Sequence, residues 1–310
     1  MTSFNKKFIG WVFVLFCFFV FVTGNLLAKP QKGNALTYKT NEGDILVYET
    51  VTQSTRTSER GGETSEFTTK RTYNFQLQGE KSETDLSFVL TINKVAVSSS
   101  GRGRSFRGGV PEDIEGKRLR VKVTPQGKQT EMTAIDEIKM PERRSGREGR
   151  RPSTRRGDPL RQFRIKLFTL PEKEFKVGDS WTEKTKGAPD ENQGGFRFGS
   201  LEQTEERKTK YTVVGEEKKK GLQCLHIKMT STYSREGEGE MRGNEISVEG
   251  EGETKAEVWF APKEGVVVEF TENTFYEGTT AFSGQRNMTM PSSNETKYML
   301  KLVKYSANKK

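Results

Sequence analysis

His226 and Cys224 are the side chains of this sequence with the most intrinsic reactivity, and they stand two apart in "LQCLHIKM". A Cys-His nucleophilic pair needs the imidazole within hydrogen-bond reach of the thiol and a third group to orient it. Side chains at i and i+2 of a strand share a face but stand well apart, and no orienting group is nearby. One histidine and one cysteine also fall short of the donor set of a zinc site. The run "GRGRSFRGG" lacks the strand-to-helix context and the closing Lys-Ser/Thr of a phosphate loop. Carboxylates are plentiful, but glycoside hydrolysis needs two at a defined separation across a cleft, which linear order does not specify. The chain therefore reads as non-enzymatic, with no cofactor and no bound metal.

Its chemistry lies in blocks of charge. Glu236, Glu238 and Glu240 alternate with glycine, as do Glu249, Glu251 and Glu253, and the two runs flank "MRGN" like the arms of a hairpin. Strand periodicity puts the glutamates on one face and the glycines on the other. The matching place in the first half, "SSSGRGRSFRGG", is basic instead, with Arg102, Arg104 and Arg107. Such tips keep an exposed sheet edge soluble, or attract one another within or between chains. A calcium site would need several oxygens in a loop at ligand spacing, and no Asp-rich loop provides them. Arg143, Arg144, Arg147, Arg150, Arg151, Arg155 and Arg156 fall in "PERRSGREGRRPSTRRGD", the composition of a solvated linker. The rival reading is capture of an anionic glycan or of lipid headgroups, whose oxyanions suit the guanidinium fork. Nucleic acid fits poorly, because no aromatic residue is interleaved for stacking.

What positions these charges begins after a targeting segment. Lys6 and Lys7 precede the apolar run Phe8 to Val22, and small residues up to Ala28 offer a cleavage site, so residues 1–28 read as a signal peptide. A retained N-terminal membrane anchor is the alternative. Export places the protein in the periplasm or at the cell surface. Past the signal only Cys224 remains, so no intramolecular disulfide can form. With 30% of residues charged and 31% hydrophobic, the composition suits a sheet with one buried and one wet face.

Two stretches share an opening, "NEGDILVYET" and "KVGDSWTEKT", and the elements after each follow the same order. Each half then carries an alternating strand pair, a glycine-rich stretch, and a hairpin with Pro entering and Gly leaving ("TPQGK", "APKEGV"). We read a first β unit over residues 29–139, an Arg-rich linker over 140–170 and a second β unit over 171–310. Strand patterning predicts an all-β chain of about ten to twelve strands. They form a large curved sheet, an open half-barrel, or else a pair of sandwiched sheets. "MTAIDEIKM" and "DPLRQFRIKLFTLP" are expected to give short amphipathic helices, the second ended by Pro171. Trp181 reads as a core anchor. Trp259 faces away from Val258 and Phe260, covering a neighbouring strand or marking a contact surface.

With the export signal, the paired "GDILVYET" and "GDSWTEKT", "YTVVGEE" and the Pro-Gly hairpins, the chain resembles exported bacterial β-rich proteins of unknown function. In general shape it is similar to the open half-barrels of periplasmic lipoprotein carriers. That resemblance implies an envelope binding protein holding a lipid or other apolar ligand on a concave face. The alternative is a structural or interaction protein. It would attach to anionic envelope polymers or partner proteins through the Arg-rich linker and charged hairpins. A filled inner face favours the second.

Overall fold

The computed structural model describes residues 34–82, 85–101, 110–111, 113–139, 160, 163–171, 174–188, 201–241, 244–284 and 287–308. Residues 35–310 form one compact unit. Its described residues are nearly all β. Its strands are β2 (Ile45–Arg60), β3 (Glu63–Glu80), β4 (Leu86–Gly101), β5 (Arg118–Val123), β6 (Gln129–Ala134), β8 (Ser180–Gly187), β9 (Glu202–Lys219), β10 (Leu222–Met241), β11 (Asn244–Ala261), β12 (Val266–Ser283) and β13 (Met288–Ser306). The two-residue strands β1 (Asn34–Ala35) and β7 (Glu174–Phe175) lie outside the large sheet.

Eleven strands make one open antiparallel sheet in the order β6-β5-β4-β3-β2-β13-β12-β11-β10-β9-β8. The chain starts in the middle at β2 and meanders to one edge. It then crosses to the other edge and meanders back to close beside its start, β13 on β2. One sheet forms where a sandwich was the other expectation.

The repeated opening builds the same turn twice. The Asn41 carbonyl accepts the Asp44 N–H at 3.1 Å, and Asp44 Oδ2 accepts the Asn41 N–H at 2.8 Å. In the second half the Lys176 carbonyl accepts the Asp179 N–H at 3.1 Å, and Asp179 Oδ2 accepts the Lys176 N–H at 2.9 Å. Gly43 and Gly178 sit at φ 83° and 92°, the left-handed conformation that this turn requires before its aspartate. Each aspartate carbonyl then enters the sheet, accepting from Gly79 or Val213 at 2.9 Å. The two Pro-Gly hairpins also converge. The Tyr38 N–H reaches the Pro125 carbonyl (2.8 Å) and the Lys39 N–H reaches that of Gly265 (3.0 Å).

Apolar residues bury one face at one end of the sheet. Leu46, Tyr48, Phe75, Leu77, Leu90, Ile92, Ile227, Val258, Phe260, Phe270, Leu300 and Leu302 form this core. Strands of 16 to 20 residues run about 50–65 Å, far beyond it. No α-helix occurs among the described residues, and of the second expected helix only Leu160 and Phe163 are helical there, in the 3₁₀ form. Met132 to Ala134 pair with Val121 to Leu119 as the edge strand β6, because a sheet edge offers backbone partners that outweigh a weak helical pattern. The other segment crosses the apolar face as an extended strap, residues 163–171. Phe163, Phe168 and Leu170 are buried, with Ile165 and Leu167 packed on the core. Phe168 meets Phe270 and Tyr211 edge-on at 5.8 and 6.2 Å. Two tyrosines, Tyr38 in the segment before β2 and Tyr298 on β13, hold the strap backbone: Tyr38 Oη donates to the Phe168 carbonyl (2.8 Å) and Tyr298 Oη to that of Lys166 (3.0 Å). Leu170 N–H donates to the Gln126 carbonyl (2.8 Å), and Lys166 pairs with Glu272.

Burial pushes the hydroxyls of Tyr38, Tyr48 and Tyr298 well above their usual range. In the unfolded chain they ionise near pH ~10, so their stabilisation is intact below that and is lost as pH rises toward the folded values. Urea unfolding at stepped pH should show stability dropping steeply above about pH 10. Tyr298→Phe should lower stability by about 1 kcal/mol at neutral pH and flatten that alkaline slope. An unchanged slope would mean that this hydroxyl does not clamp the strap.

Candidate functional site

The strand register sorts the charged runs by face. Glu236, Glu238 and Glu240 on β10, and Glu249, Glu251 and Glu253 on β11, are exposed on the face opposite the strap. Gly237, Gly250 and Gly252 lie on the strap side, in register with Val248, Arg235 and Tyr233. On the open face Glu236 stands directly across from Glu249, and Glu251 directly across from Glu277. Such opposed like charges are destabilising in a sheet.

Three open hollows run along this face. One of about 720 Å³ is bordered by Glu59, Glu236, Glu249, Glu251 and Glu277. The next, about 800 Å³, adds Lys184, Lys186, Lys208 and the exposed Phe275. A third of about 570 Å³ lies nearer the core end, with Lys70, Lys228, Lys255 and Lys297 around Val51 and Met299. Charge therefore changes along the strands, acidic at the β10–β11 hairpin and lysine-rich beside the core end. Among the described residues no cluster of metal-ligating side chains is present.

The strap side of the same hairpin carries a network that reading the sequence missed. Beyond the apolar core, hydroxyls pair across strands: Thr209 with Ser231 (3.0 Å), Thr254 with Thr274 (3.1 Å) and Thr296 with Ser54 (3.3 Å). Further out, Glu205 is held between two arginines, accepting from Arg235 at 2.8 Å and from Arg207 Nε at 2.9 Å. The Arg207 guanidinium lies 4.3 Å from the Tyr233 ring centre, and that ring stacks parallel to Tyr276 at 6.1 Å. The rings occupy space left by glycine: a Cβ on Gly252 would come within 2.3 Å of Tyr233, and one on Gly250 within 2.4 Å of Tyr276 Oη. Burial raises both tyrosine pKa values, and the neighbouring arginines pull them back. Alternation in "TYSREGEGE" does place Tyr233 and Arg235 on the glycine side. Their partners Glu205, Arg207 and Tyr276 come from other strands, and no local signal names them.

Trp259 projects onto the open face with both ring faces occupied. His226 stacks on one at 4.5 Å, Lys219 Nζ lies 3.1 Å from the ring centre, and the indole N–H meets Glu217. His226 Nε2 bonds Glu257 at 2.9 Å, and Cys224 is buried as a free thiol. Burial pushes that thiol's pKa up, so a resting thiolate is disfavoured. Trp181 is stacked between Phe175 at 4.3 Å and Tyr211 at 4.8 Å. Arg102, Arg104, Arg107, Arg143, Arg144, Arg147, Arg150, Arg151, Arg155 and Arg156 lie outside the described residues.

No family model and no curated protein matches the chain. Among solved structures, OccK5 (OpdH) of Pseudomonas aeruginosa aligns over 84% of this chain and 99% of its own, with 4% identity and a TM-score of 0.27. OccK2 (OpdF) of the same organism, in complex with glucuronate, aligns over 84% and 99%, with 6% identity and a TM-score of 0.20. A DUF1329 family protein from Desulfovibrio piger aligns over 82% and 85%, with 9% identity and a TM-score of 0.20. Likeness at this level assigns neither family nor function.

The two faces of the hairpin should respond oppositely to loss of a carboxylate. Glu205→Gln leaves the buried Arg235 and the half-buried Arg207 facing a neutral amide and should cost about 3 kcal/mol. Glu249→Gln removes an opposed like charge and should stabilise by about 0.5 kcal/mol, a gain that fades with added salt. Thermal unfolding at low and high ionic strength reads both. Equal effects of the two changes would contradict this division of the hairpin.

Proposed function

We propose that the protein is an exported, non-enzymatic binding protein of the cell envelope whose partner lies along the open, charged face of the sheet. One observation carries this reading: the apolar face is filled by the chain's own strap, while the opposite face is hollowed and no strap crosses it among the described residues. The cavities left under the strap are about 110 and 20 Å³, well below the roughly 300–1,000 Å³ that holds a small ligand. A lipid would have to displace Phe163, Phe168 and Leu170. The open face supports a polar partner, and glutamates set against one another at the hairpin end favour positive charge there. Export is supported by the apolar segment after Lys6 and Lys7.

A second reading rests on the arginines of residues 143–156, whose composition favours attachment to anionic glycan or lipid headgroups. The two readings differ in the sign of the partner.

Residues 29–310, purified gently from an exporting host, separate these possibilities. Native mass spectrometry should give the mass of the protein alone. Retention on a polycationic resin should fall with salt and weaken further when Glu236, Glu249, Glu251 and Glu277 are changed to Gln. A reproducible co-purifying lipid would overturn the proposal in favour of a carrier. Retention on a polyanionic resin alone, lost on changing the seven arginines to Ser, would transfer the binding role to that segment.

A further inference from the structure

An open sheet has two edges, and several strand segments contribute to them here; the end of β9 beyond Val213, which β8 does not cover, carries Glu216, Glu217, Lys218 and Lys219. β6 is only six residues long and carries Glu131. β8 carries Glu183, Lys184 and Lys186 and is almost wholly exposed. Short length and charge are the usual protections against pairing with another chain. The outer half of β4 has neither. β5 pairs with β4 only from Leu86 to Thr91, whereas β3 pairs with it as far as Gly101. Among the described residues no strand pairs with the outer side of "VAVSSSG", Val95 to Gly101.

The direction of its backbone groups is known. Val95 N–H points away from β3, since it donates to Glu115 Oε1 at 2.9 Å. The two-residue alternation of a strand then turns the N–H and C=O groups of Val97 and Ser99 outward as well. The side chains are small and neutral on both faces, with Ala96, Ser98, Ser99 and Ser100 exposed. The segment has no Pro and no charge.

We infer that Val95–Gly101 is a strand-addition edge, and that its occupant is the same edge of a second copy of this chain. The observation favouring a second copy is self-complementarity. An antiparallel pairing centred on Val97 sets Ala96 against Ser98 and Val95 against Ser99 of the other copy, with no like charges directly opposed, and to complete it Glu115 gives up the Val95 N–H it holds in the free chain. Such a pairing is isologous and closes on itself as a two-fold dimer, where a β4-to-β8 contact would propagate. A seven-residue strand contact falls under the roughly 1,200 Å² of a stable interface, so the dimer is weak and forms at high concentration.

Sedimentation equilibrium of residues 29–310 up to about 500 µM, a range suited to a weak contact of this size, tests the inference. The expected result is a reversible monomer–dimer equilibrium, with the Val97 and Ser99 amides gaining hydrogen-exchange protection as concentration rises. Val97→Pro removes only an outward N–H, so it should leave the intrachain ladder and the circular dichroism unchanged and abolish the dimer. An Ala96→Lys/Ser98→Lys variant sets lysines against each other at the two-fold and should weaken association at least tenfold. It serves as the second probe if the proline variant misfolds. A monomer throughout the range would overturn the inference, even if an unrelated strand peptide binds this edge. So would a dimer that both folded variants retain.

Discussion

The structure depends on a scarcity: there is apolar material for only part of one face of a very large sheet. Those residues are gathered at one end, and a single extended strap lies over them. It brings Phe163, Phe168 and Leu170 to the sheet and has its carbonyls taken up by Tyr38 and Tyr298. Because the chain must pass from the β6 edge to the β8 edge, the crossing is an obligatory connection that also completes the core. Tyrosine hydroxyls, one from β13 and one from the segment before β2, satisfy a backbone that belongs to no ladder, which a buried connection requires.

Beyond the core the long strands are held by other means. Backbone ladders continue, hydroxyl pairs cross from strand to strand, and a carboxylate shared by two arginines is packed against stacked tyrosines. Glycine makes this last arrangement possible, since any side chain at Gly250 or Gly252 would occupy the space of the rings. Glutamate on one face and glycine on the other are therefore two halves of one device. The alternation lets aromatic rings lie flat on the strap side while the opposite side carries solvated charge. Buried ion pairs of this kind contribute little net stability against an apolar replacement, but they penalise any register that separates them.

For function, the decisive contrast is between an apolar face filled by the strap and a hollowed, charged face opposite it. A carrier of apolar ligands needs room where this chain places its own side chains. The open face offers broad hollows, a lengthwise change of charge and glutamates set directly across from one another, with Lys186 near Glu236. An arrangement that carries repulsion in the free chain has more to gain from a cationic partner than a neutral surface has, since binding relieves the repulsion as well as adding attraction.

Much of this was legible in the linear order of residues. Alternation identified the strands, and the repeated Gly-Asp motif marked a turn that recurs with the same hydrogen bonds because both need a left-handed glycine. The sidedness of the glutamate and glycine runs follows from the two-residue period alone. The strap was not legible. Its apolar spacing suits a helix as well as an extended segment, and only a sheet face with tyrosine donors in place settles which backbone is satisfied. The Glu205–Arg207–Arg235 cluster was also hidden, for register between strands distant in sequence is set by the assembled sheet. Local periodicity determined which way each side chain points. Tertiary structure decided what it meets there, because the partners are supplied by strands whose neighbours are chosen only when the whole sheet closes its ladder.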